Sequence, residues 1–367
     1  MISPGRRIAR VCGDLLEADS GTTKGRTNSQ QAMARAGLSP SDTYSSVKRG
    51  RMHTVGEDPM TSRKSTLRFS AMFLTVISIS ITAQEQNGVS KFRDVKAPGA
   101  IETDTYAVNN LGVIAGAYVD ANHIQHGMIL TGTKLTTVDR TGCLTTPGPG
   151  AIALFGLATK GAAVGWCQDT TTGRNDAFFY LQGRFVNIVP PGAVSTQAYG
   201  INDLNEIVGA YLDAKNVQHG FVLNGKTYTP LDIQGHTFPS AWSINNQGLI
   251  AVYALNSKRL VDSFLTTGRG GYKLINVPGA VQSIVHGMNR FGDRIYTTVD
   301  SAGAQHGVFY LKGTFYRFND PNDKHKNTTR GYGLNDKLVI VGDYAAGGLR
   351  HPAAAVTQGF LAYGCCR

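Results

Sequence analysis

One unit, repeated six times, constrains this chain more than any other feature. Residues 198–220 read AYGINDLNEIVGAYLDAKNVQHG, and a near copy begins at Ala107 (AVNNLGVIAGAYVDANHIQHG). Looser copies begin near Gly156, Ala241, His286 and Gly331. Aligned on the centre of the unit, the copies are anchored at Asn109, Ala158, Asn202, Asn245, Asn289 and Asn335, at successive spacings of 49, 44, 43, 44 and 46 residues. Periods of about 40–50 residues belong to propeller blades, whereas the coils of a β-helix are much shorter. A single unit cannot bury its own apolar faces, so the copies must stack on one another.

Each copy divides into four short β-type runs separated by turn residues. In the third copy these are residues 197–202, 206–213, 220–223 and 227–233. The Asn/Asp/Gly cluster at each anchor suits a tight hairpin with a residue at positive φ, and a backbone role for the anchor asparagines outweighs a catalytic one. The first run carries small residues (Ala107, Gly156, Ala198, Gly287, Gly331), which places it innermost, where blades crowd towards the axis. Copies end in an aromatic or leucine strand and a Pro-Gly step (Pro98, Pro149, Pro191, Pro278), a type II turn leading from the outer strand of one blade to the inner strand of the next. The array starts with a lone outer-type strand, residues 92–95, and ends after three strands at residues 358–363. The expected architecture is therefore all-β: a six-bladed β-propeller of four-stranded blades, its ring closed by the N-terminal strand, which removes exposed sheet edges. An open solenoid is the alternative.

The repeats near 92–139, 140–189, 190–233, 234–277, 278–320 and 321–363 occupy a propeller domain at 84–367. Residues 1–59 are basic, Ser/Gly-rich and aperiodic, and read as disordered or as an over-extended start of the reading frame. From Met60 the order changes. Arg63, Lys64 and Arg68 precede an uncharged apolar run at 69–81, and Ile81-Thr82-Ala83 ends it before Gln84. That order predicts a signal peptide at 60–83, translation starting at Met60, and a secreted product, extracellular or periplasmic, with no stable membrane span after cleavage.

The net charge of +11 invites a nucleic-acid reading, but residues 1–83 carry 12 Lys/Arg against 6 Asp/Glu. The repeat region holds no Lys/Arg cluster, so its charge reads as a solvated surface and no nucleic-acid partner is expected. Among the five cysteines no CxxC or Cys/His ligand spacing occurs, which leaves no zinc reading. Cys143 and Cys167 fall in one repeat, and an oxidising compartment would allow a disulfide between them.

The pattern F-x-x-(I/V)-x-x-PGA, then GIN-D-x-x-x-IVG-Y, then HGF and a Gly-containing turn resembles the bacterial extracellular HAF repeats. The His-Ala-Phe element stands here as His126-Gly-Met, Asp176-Ala-Phe, His219-Gly-Phe and His306-Gly-Val. The resemblance covers residues 92–363 and implies a secreted bacterial protein with a propeller-like fold. It implies no activity and no catalytic residues, and copies two, four and six depart from the His-Gly element.

The sharpest side-chain signal is Asp120/His126, Asp213/His219 and Asp300/His306, with the same separation of six in each. The pair either braces the turn between the second and third strands by capping backbone N–H groups, or contacts a carbohydrate or metal around the ring. No catalytic residues, cofactor site or metal site are assigned. GxSxG, HExxH and phosphate-binding glycine loops do not occur, and no carboxylate pair stands out for glycoside hydrolysis. Tyr118, Tyr211, Trp166 and Trp242 would either stack on sugars or pack between blades. The leading expectation is a monomeric, non-enzymatic binding or scaffold propeller for a glycan, a polymer or a partner protein. The alternative is a polysaccharide lyase or glycosidase with its site at one end of the central channel.

Overall fold

The computed structural model describes residues 88–148, 150–324, 326–345 and 357–364. The expectations for residues 1–59 and for the signal peptide at 60–83 lie outside the described residues, as do Pro149 and Cys365-Cys366. Every element among the described residues is a β-strand, and the strands form six four-stranded antiparallel units. Five are consecutive in sequence, at 102–138, 153–188, 193–231, 237–274 and 282–318. The sixth combines Arg330–Leu334, Val339–Ala345 and Thr357–Gly364 with Val89–Val95 as its fourth strand. Val89–Val95 runs antiparallel to Thr357–Gly364, in register from Val89 opposite Gly364 to Val95 opposite Gly359. Sixth and first units also meet directly at the bridge from Gln358 to Thr103.

Six hydrophobic clusters hold the ring, one at each seam between neighbouring blades. Ile207, Tyr199 and Phe221 of the third blade pack with Val164, Trp166 and Phe179 of the second. At the seam between sixth and first blades, Val339 and Val341 pack with Val108, Ile114 and Met128. This explains the strand patterns. Second strands are sandwiched between two blades and read as continuous apolar runs; all six residues of Ile114–Val119 are buried. Outer strands alternate, as in Lys134–Val138, because only one face meets a neighbour.

The innermost strands are Glu102–Val108, Ala153–Leu157, Ala193–Ile201, Thr237–Ile244, Gln282–Met288 and Arg330–Leu334. These are the first runs of the repeats, as their small residues suggested. Close approach is the reason. A Cβ added to Gly200 would sit 2.7 Å from the Trp242 carbonyl oxygen and 3.1 Å from Ser243 Cα of the next blade. At the hairpins, positive φ falls three residues beyond each anchor, at Gly112, Gly161, Asn205, Gly248, Gly292 and Leu338, and not on the anchor asparagines. The linker glycines Gly99, Gly192 and Gly279 also take positive φ, at 77–79°.

Candidate functional site

The anchor asparagines form a belt around the axis. Asn202 Nδ2 donates to the Asn245 carbonyl (3.0 Å), Asn245 to Asn289 (3.3 Å), Asn289 to Asn335 (3.4 Å), Asn335 to Asn109 (2.9 Å) and Asn109 to Ala158 (3.3 Å). Each Asn Oδ1 turns back to accept the backbone N–H groups two and four residues on, for example Lys337 (3.0 Å) and Val339 (2.9 Å) at Asn335. One side chain thus pins its own hairpin and the neighbouring one. The second blade has Ala158 at this position, and its hairpin is tied instead through Thr159, whose N–H and Oγ1 donate to Asp203 (2.6 and 3.1 Å).

Three residues before each anchor stands a ring: Tyr106, Phe155, Tyr199, Trp242, His286 and Tyr332. In all six innermost strands the register shifts at this residue, a β-bulge that turns its side chain to the axis. The rings pack on one another. Tyr199 stacks on Trp242 at 4.4 Å, Tyr106 stacks on Phe155 at 4.7 Å, and His286 meets Trp242 and Tyr332 edge-on at 4.5 and 4.6 Å. Together they stopper the channel. Burial and the nearby Arg330 charge lower the His286 pKa to about 3, so its imidazole is neutral. Burial also holds the Tyr199 and Tyr106 hydroxyls well above the usual phenol range.

Above the stopper lies a pocket of about 120 Å³, walled by the asparagine belt. The residue after each anchor makes its rim: Asn110, Thr159, Asp203, Asn246, Arg290 and Asp336. Rim residues are fixed by one another. Asn110 Nδ2 donates to Asp336 (2.8 Å), Asn246 Nδ2 to Asp203 (3.2 Å), and the Arg290 N–H to Asp336 (3.0 Å). An apolar, aromatic floor below a rim of amides, carboxylates and one guanidinium is the usual composition of a small-molecule site. At about 30 Å³ per water in the liquid, the pocket has space for about four waters.

Below the stopper the sixth and first blades enclose a second polar group. Arg330 Nε donates to Asp343 Oδ1 at 2.6 Å, and the Asp343 charge bears on Asp104 of the next blade. Burial raises both carboxyls. Asp104 is pushed up to about 8 by burial and then by the Asp343 charge, while the Arg330 charge opposes the rise at Asp343. This cross-blade pair is not legible in sequence, since its members are 239 residues apart.

The Asp/His pairs sit at the other end of the blades from the rim. Asp120 Oδ1 accepts the N–H groups of Asn122 and Ile124 (both 2.9 Å), and its Oδ2 lies 3.7 Å from His126 Nε2. His126 Nδ1 contacts Asp139 (2.9 Å), and Tyr118 stacks on the imidazole at 4.9 Å. The third blade repeats this with Asp213, His219, Asp232 and Tyr211. In the fifth, His306 lies between Asp300 and Asn319, with Arg317 beside it. These contacts join each histidine to its own turn and its own outer strand. Among the described residues no three His, Cys, Asp or Glu side chains are grouped to hold a metal ion. Cys143 and Cys167 are joined by a disulfide with Cα atoms 5.5 Å apart. Of the aromatics singled out in sequence, Trp166 and Tyr118 are buried between blades, while Trp242 belongs to the channel stopper. The stopper had a sequence signal that the repeat alignment contains but the expectations missed: an aromatic or histidine three residues before all six anchors.

No protein-family model matches the chain, and no curated protein matches it in sequence. Among solved structures it is similar to the SapL1 lectin in complex with alpha methyl fucoside, at 10% identity and a TM-score of 0.43 over 67% of this chain and 88% of that one. It is similar to the six-bladed β-propeller lectin of Aleuria aurantia, at 11% identity and a TM-score of 0.41 over 66% and 86%. A third likeness is to the Trypanosoma rangeli sialidase, at 8% identity and a TM-score of 0.43 over 77% and 59%. At these identities and scores the likeness extends no further than architecture.

Proposed function

We propose that the chain is a secreted, non-enzymatic propeller of the HAF-repeat type that binds a glycan at the axial pocket. The observation that carries this reading is the meeting of two chemistries at one axial pocket. Aromatic rings floor the pocket, with Trp242 in the stopper, and Asn110, Asp203, Asn246 and Asp336 rim it. A sugar ring has an apolar C–H face for such a floor and vicinal hydroxyls for amide and carboxylate oxygens. The rim is already held by hydrogen bonds between blades, so little ordering cost remains on binding. The signal-peptide order at 60–83 and the Cys143–Cys167 disulfide support an oxidising, secreted setting.

The alternative, cleavage of a polysaccharide, finds its best support in Asp104 and Asp343. Asp343 is fully buried, however, and its Oδ1 is held by Arg330 at 2.6 Å, which leaves it no access to a glycosidic bond. Binding is the better reading.

A glycan array followed by calorimetry on the hits tests it. Binding without release of reducing ends is expected, weakened at least tenfold by Trp242→Ala and by Asp203→Ala. Retention of no glycan, or unchanged affinity in both variants, would refute the proposal.

A further inference from the structure

The strands of each blade alternate in direction, so the anchor hairpins and the turns between third and outer strands emerge on one face, the face of the axial pocket. That face has a composition invisible along the chain. Two residues beyond the anchors of alternate blades stand Leu111, Leu204 and Phe291, exposed by 69%, 63% and 52% at hairpin tips. Between them, in two of the other blades, stand the exposed Lys160 and Lys337. Further out, in each of the first five blades, the start of the outer strand or the turn before it carries an exposed cation: Lys134, Arg184, Lys226, Arg269 and Lys312.

The carboxylates on this face are fewer and offset these charges only in part. Asp203, Glu206, Asp293 and Asp336 are each engaged at the hairpins by backbone or side-chain donors, such as Asn202 and Asn224 on Glu206. Counted together, the cations on this face outnumber these four carboxylates, so the balance around the three apolar tips is positive. The opposite face also exposes apolar residues, such as Val189 and Val217, but these lie among Asp139, Asp232 and Lys215, of mixed sign.

From this juxtaposition we infer that the pocket face is a docking surface for an anionic lipid bilayer. The three tips enter the headgroup boundary, and the outer ring of Lys and Arg meets lipid phosphates. Apolar area and cationic charge act together in such binding, and neither suffices alone. The positive charge by itself fits any polyanion. The three large apolar side chains, set around the axis in alternate blades, are what a soluble acidic polymer would leave unused and a bilayer would bury. The inference stands apart from the identity of any sugar in the pocket.

The test is co-sedimentation of the purified chain with vesicles of phosphatidylcholine alone or with about a third phosphatidylglycerol. Binding is expected to the anionic vesicles and to fall steeply with salt. The combined L111S/L204S/F291S variant changes only exposed tips and should lose at least tenfold in affinity with an unchanged circular dichroism spectrum. K134E/R184E/K226E should lose as much, while K215E/K258E on the opposite face should bind like wild type. If the tip variant does not fold, single substitutions at Leu111 and Phe291 are read instead, each with a partial loss. Failure to pellet with anionic vesicles, pelleting indifferent to the tips, or retention by soluble alginate without vesicle binding would each overturn the inference.

Discussion

Replacing Asn335 by alanine removes the best-formed link of the axial belt at the seam where the last blade meets the first. The side chain is 3% exposed. It donates to the Asn109 carbonyl at 2.9 Å and accepts from the N–H groups of Lys337 and Val339 at 3.0 and 2.9 Å. Each such bond contributes about 0.5–1.5 kcal/mol net, and a buried group left without a partner costs about 1–3 kcal/mol. Part of that cost is relieved where water reaches the Lys337 N–H at the exposed hairpin tip. The expected destabilisation is about 2–4 kcal/mol, and at about 2–3 °C per kcal/mol for a chain of this size the Tm falls by about 4–12 °C. Urea unfolding followed by far-ultraviolet circular dichroism and by tryptophan fluorescence measures it, and agreement of the two probes checks cooperativity. Asn335→Asp separates the contributions, because it keeps the oxygen facing the hairpin and loses the donor facing Asn109. The reciprocal change, Ala158→Asn, places the missing side chain in the second blade and should be neutral or stabilising by up to about 1.5 kcal/mol. An Asn335→Ala variant within about 0.5 kcal/mol of wild type would refute a structural belt.

Three further outcomes follow from the same geometry. Reduction of the Cys143–Cys167 bridge, or Cys143→Ser, should lower stability by about 2–4 kcal/mol, since the bridge spans a separation of 24 residues; equal urea midpoints with and without reductant would contradict this. Because Asp104 is raised from 3.8 to about 8 in the folded protein, its contribution is fully present below pH 3.8 and is lost as pH rises through about 8. Asp104→Asn, which mimics the protonated acid, should flatten the fall in stability between about pH 4 and 8, as read from urea midpoints across that range. Gly209→Ala places a Cβ 2.1 Å from the Gln197 carbonyl oxygen, and the forced separation of the two strands should cost about 2–3 kcal/mol or prevent folding, measured by yield and thermal melting.

Most of the architecture is legible in sequence because it is built from local repeats. The four runs expected in the third copy correspond to Ala193–Ile201, Ile207–Asp213, Gln218–Asn224 and Thr227–Leu231. The longest error is at the first of these, which begins earlier than its alternation suggests. Its opening residues, Ala193–Ser195, pair across a bulge with the end of the second strand and are only half-buried, so they carry little hydrophobic signal. The anchor asparagines were read as backbone residues, and in the structure they make two hydrogen bonds to their own hairpin. Their third bond, to the next blade, is a partner choice that no spacing along the chain encodes.

The candidate site was much less legible. Asp120/His126 and its copies drew attention because the pattern recurs at a fixed local separation, yet each pair turns inward to its own blade edge. The pocket instead gathers the same five-residue segment from every blade, ending just past the anchor, and those segments lie about 45 residues apart and meet only around the axis. The period of the chain, by itself, determined a stacked array of four-stranded units, because a unit too small to bury its faces must stack on its copies. Only the tertiary structure decided what the ring encloses. Bulges aim six rings at one axis, the approach of the first blade's innermost strand to the sixth blade's second strand brings Asp104 to Asp343 across the seam, and alternating strand directions collect Leu111, Leu204, Phe291 and the outer cations on one face. Those juxtapositions arise from closing the ring, and closure is a property of all six blades together.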